Sequence, residues 1–106
     1  MKKTYYEEFI DESVQKLLHI TVHNIQLAIY FGSKSKQNIY ERNTFLKSIK
    51  FDLFEHVLLR CIAQKAVIYE ESVYFLSETS KAKITEFIKK KQSEKFKLSM
   101  IGKAKI

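Results

Sequence analysis

The change of hydrophobic period between Ile49 and Lys91 constrains the fold of this chain more than any other feature. Leu53, Phe54, Val57, Leu58, Cys61 and Ile62 recur at three and four residues, which places them on one face of a helix. Near Lys65 the period changes to two. Val67-Ile68-Tyr69 and Val73-Tyr74-Phe75-Leu76 are β-branched and aromatic runs around the polar gap Glu70-Glu71-Ser72, a pattern that predicts a tight hairpin. The helical period then resumes, with Ser77, Thr79 and Ser80 available as caps and Ile84, Phe87 and Ile88 forming the buried face. Helix, hairpin, helix predicts a mainly α protein with one small β-hairpin.

The remaining segments are placed around that unit. Tyr5 to His19 predicts an amphipathic helix, with Tyr6, Phe9, Ile10, Val14, Leu17 and Leu18 along one side. Its acids Glu7, Glu8, Asp11 and Glu12 fall mostly on the other side and in the first turns, where they suit the helix dipole. Ile20 to Phe31 supports two readings. Alternation of Ile20, Val22, Ile25, Leu27, Ile29 and Phe31 favours a strand, whereas Thr21 as cap with Ile25, Ala28 and Ile29 on one face favours a helix. Gly32 to Lys36 is the clearest break. Gln37 to Ile49 predicts one helix, Lys50-Phe51-Asp52 a turn, and Asp52 the cap of the next helix. Beyond Lys91, alternation over Lys95 to Met100 predicts a short strand, followed by a basic tail from Gly102 to Ile106.

The second half resembles the winged helix-turn-helix DNA-binding family. The resemblance lies in Leu58-Leu59-Arg60-Cys61-Ile62, Lys65-Ala66-Val67-Ile68 and Tyr74-Phe75-Leu76-Ser77-Glu78-Thr79-Ser80-Lys81. It covers roughly residues 21–91 and departs from the family where Ala66 and Ser80 replace the usual glycines. It implies a winged helix-turn-helix with an added N-terminal helix and a C-terminal helix, and it makes Ile20–Phe31 the first helix of the core. The added helix would either pack against a second subunit or close the protein's own core. In size and lysine-rich composition the chain is also similar to the relaxosome accessory proteins of clostridial conjugative plasmids. That likeness implies a plasmid transfer origin as target, bound more by the sheet than by the recognition helix.

At 106 residues and 45% apolar content the chain suits one domain spanning 1–106, with its core at about 21–91 and a basic tail at 92–106. No apolar run approaches the ~20 residues of a membrane span. No apolar signal-peptide core follows Met1 to Glu8, so a cytoplasmic protein is expected. Cys61, the single cysteine, lies on an apolar helix face and reads as a buried thiol. The net charge of +7 favours an anionic partner, although lysine used purely for solubility would give the same total. The charge is uneven: residues 34–50 are net +4 and residues 79–106 net +7, while the segments between and before them are acidic.

No catalytic or metal constellation is visible. His19, His23 and His56 lack a third ligand at useful spacing. Two glycines cannot build a phosphate loop. Neither enzymatic activity nor a cofactor is expected.

The face of the third helix that should look outward carries Asp52, Glu55, His56, Leu59 and Ala63, and the hairpin tip carries Glu70 and Glu71. Acids there oppose phosphate binding, which depends on lysine and arginine displacing counterions. The expected DNA contacts are therefore Lys34, Lys36, Gln37, Asn38, Arg42, Lys47 and Lys50 around the second helix, with Lys95, Lys97 and Lys103 near the C-terminus. The expected partners are double-stranded DNA and a second copy of the chain, with no membrane. The alternative is a protein–protein adaptor or inhibitor that keeps the fold, leaves DNA alone and docks through Glu55 and Leu59.

Overall fold

In a computed structural model of the chain, residues 5–104 are described, with side chains for residues 11–94. The elements in order are α1 (Tyr5–Tyr30), α2 (Lys36–Arg42), α3 (Thr44–Ser48), α4 (Phe51–Ala63), β1 (Val67–Glu70), β2 (Val73–Leu76) and α5 (Glu78–Ala104). The mainly helical class with one antiparallel hairpin is as expected.

The first correction concerns α1. The two expected helices, Tyr5–His19 and Ile20–Phe31, are one helix of 26 residues. Thr21 does not cap anything. It is fully buried in mid-helix, where its hydroxyl donates to Leu17 O at 2.7 Å, the local back-bonding open to a threonine. From Leu18 onward the helix turns one stripe to the core: Leu18, Thr21, Val22, Ile25, Ala28 and Ile29. It ends where Gly32 takes φ 108°. Gly32 N–H donates to Ile29 O and Ser33 N–H to Ala28 O, a Schellman closure that needs a left-handed residue. No atom lies within 4 Å of where a Cβ would stand at Gly32, so conformation rather than space requires the glycine.

The second correction concerns residues 37–49, expected as one helix. Asn43 divides them into α2 and α3. Its backbone is extended (φ −107°, ψ 120°), and its Oδ1 accepts from Leu46 N–H at 2.9 Å to cap α3. Its Nδ2 donates to Asn24 Oδ1 at 3.1 Å, tying the break to α1. Ser35 Oγ caps α2 by accepting from Asn38 N–H. Ile39 and Leu46 are fully buried.

Third, Lys50 rather than Asp52 stands at the N-cap of α4, without a side-chain bond, and Asp52 lies in the first turn. Helix α4 buries Phe54, Val57, Leu58 and Cys61 against α1. It closes as α1 does, with Lys65 N–H donating to Ile62 O and Ala66 N–H to Cys61 O. The left-handed residue is Lys65 (φ 62°), so the position that favours glycine is not Ala66 but the residue before it.

The hairpin pairs Val67 with Leu76, Ile68 with Phe75, Tyr69 with Tyr74 and Glu70 with Val73. Glu70 therefore belongs to the strand, and the turn is Glu71-Ser72, both left-handed at φ 51° and 64°. Val67 and Tyr74 are buried, and Leu76 packs against the core. Tyr74 N–H also donates to Lys34 O, which brings the segment after α1 alongside β2.

Helix α5 starts at a Ser77 cap, whose Oγ accepts from Ser80 N–H, and it buries Ile84. Phe87 lies at its border, more than a third exposed, with its ring edge-on to His23 at 4.5 Å. The strand expected over Lys95 to Met100 is not formed. The helix runs through that segment to Ala104 and takes in most of the expected tail. No helix among the described residues is long and apolar enough to cross a membrane.

Candidate nucleic-acid interface

Helix α2 is short, and its helical spacing sends its cations in different directions. Lys36 and Arg42 are six residues apart, roughly 240° around the helix at about 100° per residue. Lys36 Nζ reaches across to α4 and meets Glu55 Oε2 at 2.8 Å. That hydrogen bond holds the Lys36 ammonium above its ordinary pKa. Arg42 instead borders a hollow with Leu27, Ala28, Phe31, Ser33 and Asn43, on the α1 side. The structure does not bring these two cations together. Gln37 is exposed and donates to Glu41 Oε1 at 2.6 Å, while Asn38 is half-buried with its backbone on the Ser35 cap.

Lys47 and Lys50 form a closer pair. Both are exposed, Lys47 in the last turn of α3 and Lys50 at the N-cap of α4, on either side of the turn between them. The turn is held by Tyr40, whose hydroxyl donates to Ile49 O at 2.6 Å, and by the packing of Tyr40 on Phe51 and Phe54. Among the described residues neither lysine forms an ion pair.

Lys34 is exposed on the other side, with its carbonyl bonded to β2. It borders a groove that is also lined by Lys81, in the first turn of α5. Lys81 was absent from the residues expected at the site. Its position just after the Ser77 cap carries it toward the end of α1, a juxtaposition that only the fold supplies. The side chains of Lys95, Lys97 and Lys103 lie outside the described residues.

The outward face of α4 carries Asp52, His56, Leu59 and Ala63, all exposed, with Glu55 half-exposed beside them. Leu59 is 61% exposed. The hairpin tip, Glu70-Glu71-Ser72, is exposed as well. Among the described residues no group of three or more His, Cys, Asp or Glu is placed to hold a metal ion. The buried Cys61 thiol is pushed up to about 11 by desolvation, so it is protonated at neutral pH. Tyr74 is likewise raised, chiefly by burial.

These arrangements can hold anions at two places, the turn before α4 and the groove of Lys34 and Lys81, and can hold an apolar partner on α4. The chain matches no protein-family model, no curated protein and no solved structure.

Proposed function

We propose that this protein is a small winged-helix protein that binds double-stranded DNA as a homodimer, mainly through backbone phosphates and with its contacts beside α4 rather than along it. A promoter or a plasmid transfer origin is the kind of duplex meant. The observation that carries the reading is the pair Lys47 and Lys50, exposed and without ion pairs among the described residues, at the end of α3 and the start of α4 on either side of an anchored turn. A helix-turn-helix brings that turn to the phosphates at the edge of the major groove. The face of α4 itself offers Asp52 and an ion-paired Glu55, which adds little favourable charge. The bond from Tyr74 to Lys34 ties the segment after α1 to the edge of the hairpin, which is compatible with a winged arrangement.

The test is duplex affinity across a salt series. Each phosphate contact contributes a slope of about −0.9 in log K against log salt. Replacing Lys47 and Lys50 together by alanine should flatten the slope by roughly 1.8, equally for all sequences. A salt-independent affinity, or no binding to any duplex, sinks the reading.

A second reading follows from Leu59. A leucine 61% exposed on a helix face with His56 and Asp52 also suits a protein partner. Leu59→Lys discriminates between the two: it abolishes an adaptor interaction, and it leaves phosphate-led DNA binding intact or slightly tighter.

A further inference from the structure

The end of α1, strand β2 and the first turns of α5 enclose a groove of about 510 Å³. It runs along the edge of β2, with Ile29, Tyr30, Tyr74, Phe75 and Leu76 lining it together with Lys34 and Lys81. Phe75 belongs to the hairpin face turned away from Tyr69 and Tyr74, and it is 38% exposed. Lys34 is fixed beside β2 by the bond from Tyr74, and Lys81 by its own N–H on Ser77 O. Among the described residues neither ammonium has an ion pair.

Three other hollows among the described residues lack this combination. Along α5, the hollow lined by Glu78, Lys81, Ala82, Thr85, Glu86 and Lys89 has no aromatic side chain. Between α1 and α4, Arg60 stands among Leu18, Val22 and Val57. Beneath Phe31, Arg42 is the one cation.

Two unpaired cations beside an aromatic surface suit a ligand that is both anionic and flat, such as a nucleobase carrying phosphate. In duplex DNA the faces of the bases are already stacked, so the ligand must be unpaired. A pocket for a free nucleotide would bury most of it. This groove leaves Phe75 open to solvent and sets its cations on two separate elements, which suits a chain running through. We propose that the groove takes an unpaired nucleotide of a single DNA strand, with its base stacked on Phe75 and Tyr30 and its flanking phosphates held by Lys34 and Lys81. The choice of DNA rests on the reading above, but the surface is a different one.

The experiment uses the whole chain and a labelled thymine strand of roughly 12 nucleotides, read by anisotropy beside a blunt duplex of equal length. Phe75→Ala should weaken strand binding at least about fivefold, the low end for losing one stacked base, and leave duplex binding unchanged. The chain has no tryptophan, so Phe75→Trp supplies a reporter whose emission the stacked base should quench. Lys81→Gln should weaken the strand and flatten its salt dependence.

Unchanged strand affinity in Phe75→Ala, or no quenching in Phe75→Trp at saturation, overturns the proposal. So does displacement of the strand by polyglutamate as readily as by unlabelled strand, or saturation by thymidine monophosphate as tight as by the strand. Loss of binding in the duplex arm alone would refute the earlier reading and leave this one standing.

Discussion

Glu55 decides what α4 shows to an anion. Its carboxylate holds Lys36 at 2.8 Å, so a cation that the sequence places next to the expected interface is already neutralised. Replacing Glu55 by glutamine removes the negative charge and keeps an acceptor for the ammonium. Duplex affinity should rise several-fold at low salt, and the salt slope should steepen by about 0.9 as Lys36 becomes available to a phosphate. An unchanged slope would place Lys36 away from the DNA. This pairing was not legible in the sequence, because Lys36 and Glu55 are 19 positions apart and meet only through the packing of α2 beside α4. Cys61 was legible: its place in a three-and-four spacing predicts the burial that the fold shows. Thr21 misled, because the same hydroxyl that caps a helix start can also bond back inside a continuous helix.

At the scale of elements, α1 and α4 end in the same closure with different residues. Gly32 supplies the left-handed conformation after α1, and Lys65 adopts it after α4 at the steric cost of a Cβ. Lys65→Gly should therefore stabilise the protein by about 1 kcal/mol, seen as a higher urea midpoint with an unchanged m value. A lower midpoint would show that the Lys65 side chain contributes more than its strain removes. The hairpin and both flanking helices were legible because their apolar periods are unbroken. The break at Asn43 was not. An asparagine inside a helical pattern is common enough, and the bond to Asn24 that exploits the break joins residues on different elements. Lys95 to Met100 alternates like a strand, but no neighbouring strand is there to pair with it, and the backbone continues α5.

The whole molecule is extended. Its principal extents are 55 × 46 × 26 Å and its radius of gyration is 17.3 Å, against ~13 Å for a compact chain of this length. One cause is visible in α1, where residues 11–17 are all exposed before the helix reaches the core at Leu18, and α5 runs on likewise past Ile84. Val14 is 48% exposed and Leu17 37%, on the same stripe that buries Thr21 and Ile25 further along. An isolated helical segment of this length is marginal in water, so its apolar side gains most by meeting another surface. The homodimer proposed above supplies one. It also gives a weak set of phosphate contacts a second copy on the same duplex, which raises affinity without any new kind of contact. Val14→Asp with Leu17→Asp should then leave the core fold intact, since neither side chain is in the core cluster. The mass by sedimentation should fall from twice 12.6 kDa to the single-chain value. Duplex affinity should drop at least about tenfold as the second set of contacts is lost. A wild-type chain that sediments as a monomer at the concentrations where it binds DNA would remove the dimer and leave the phosphate contacts to be tested by themselves.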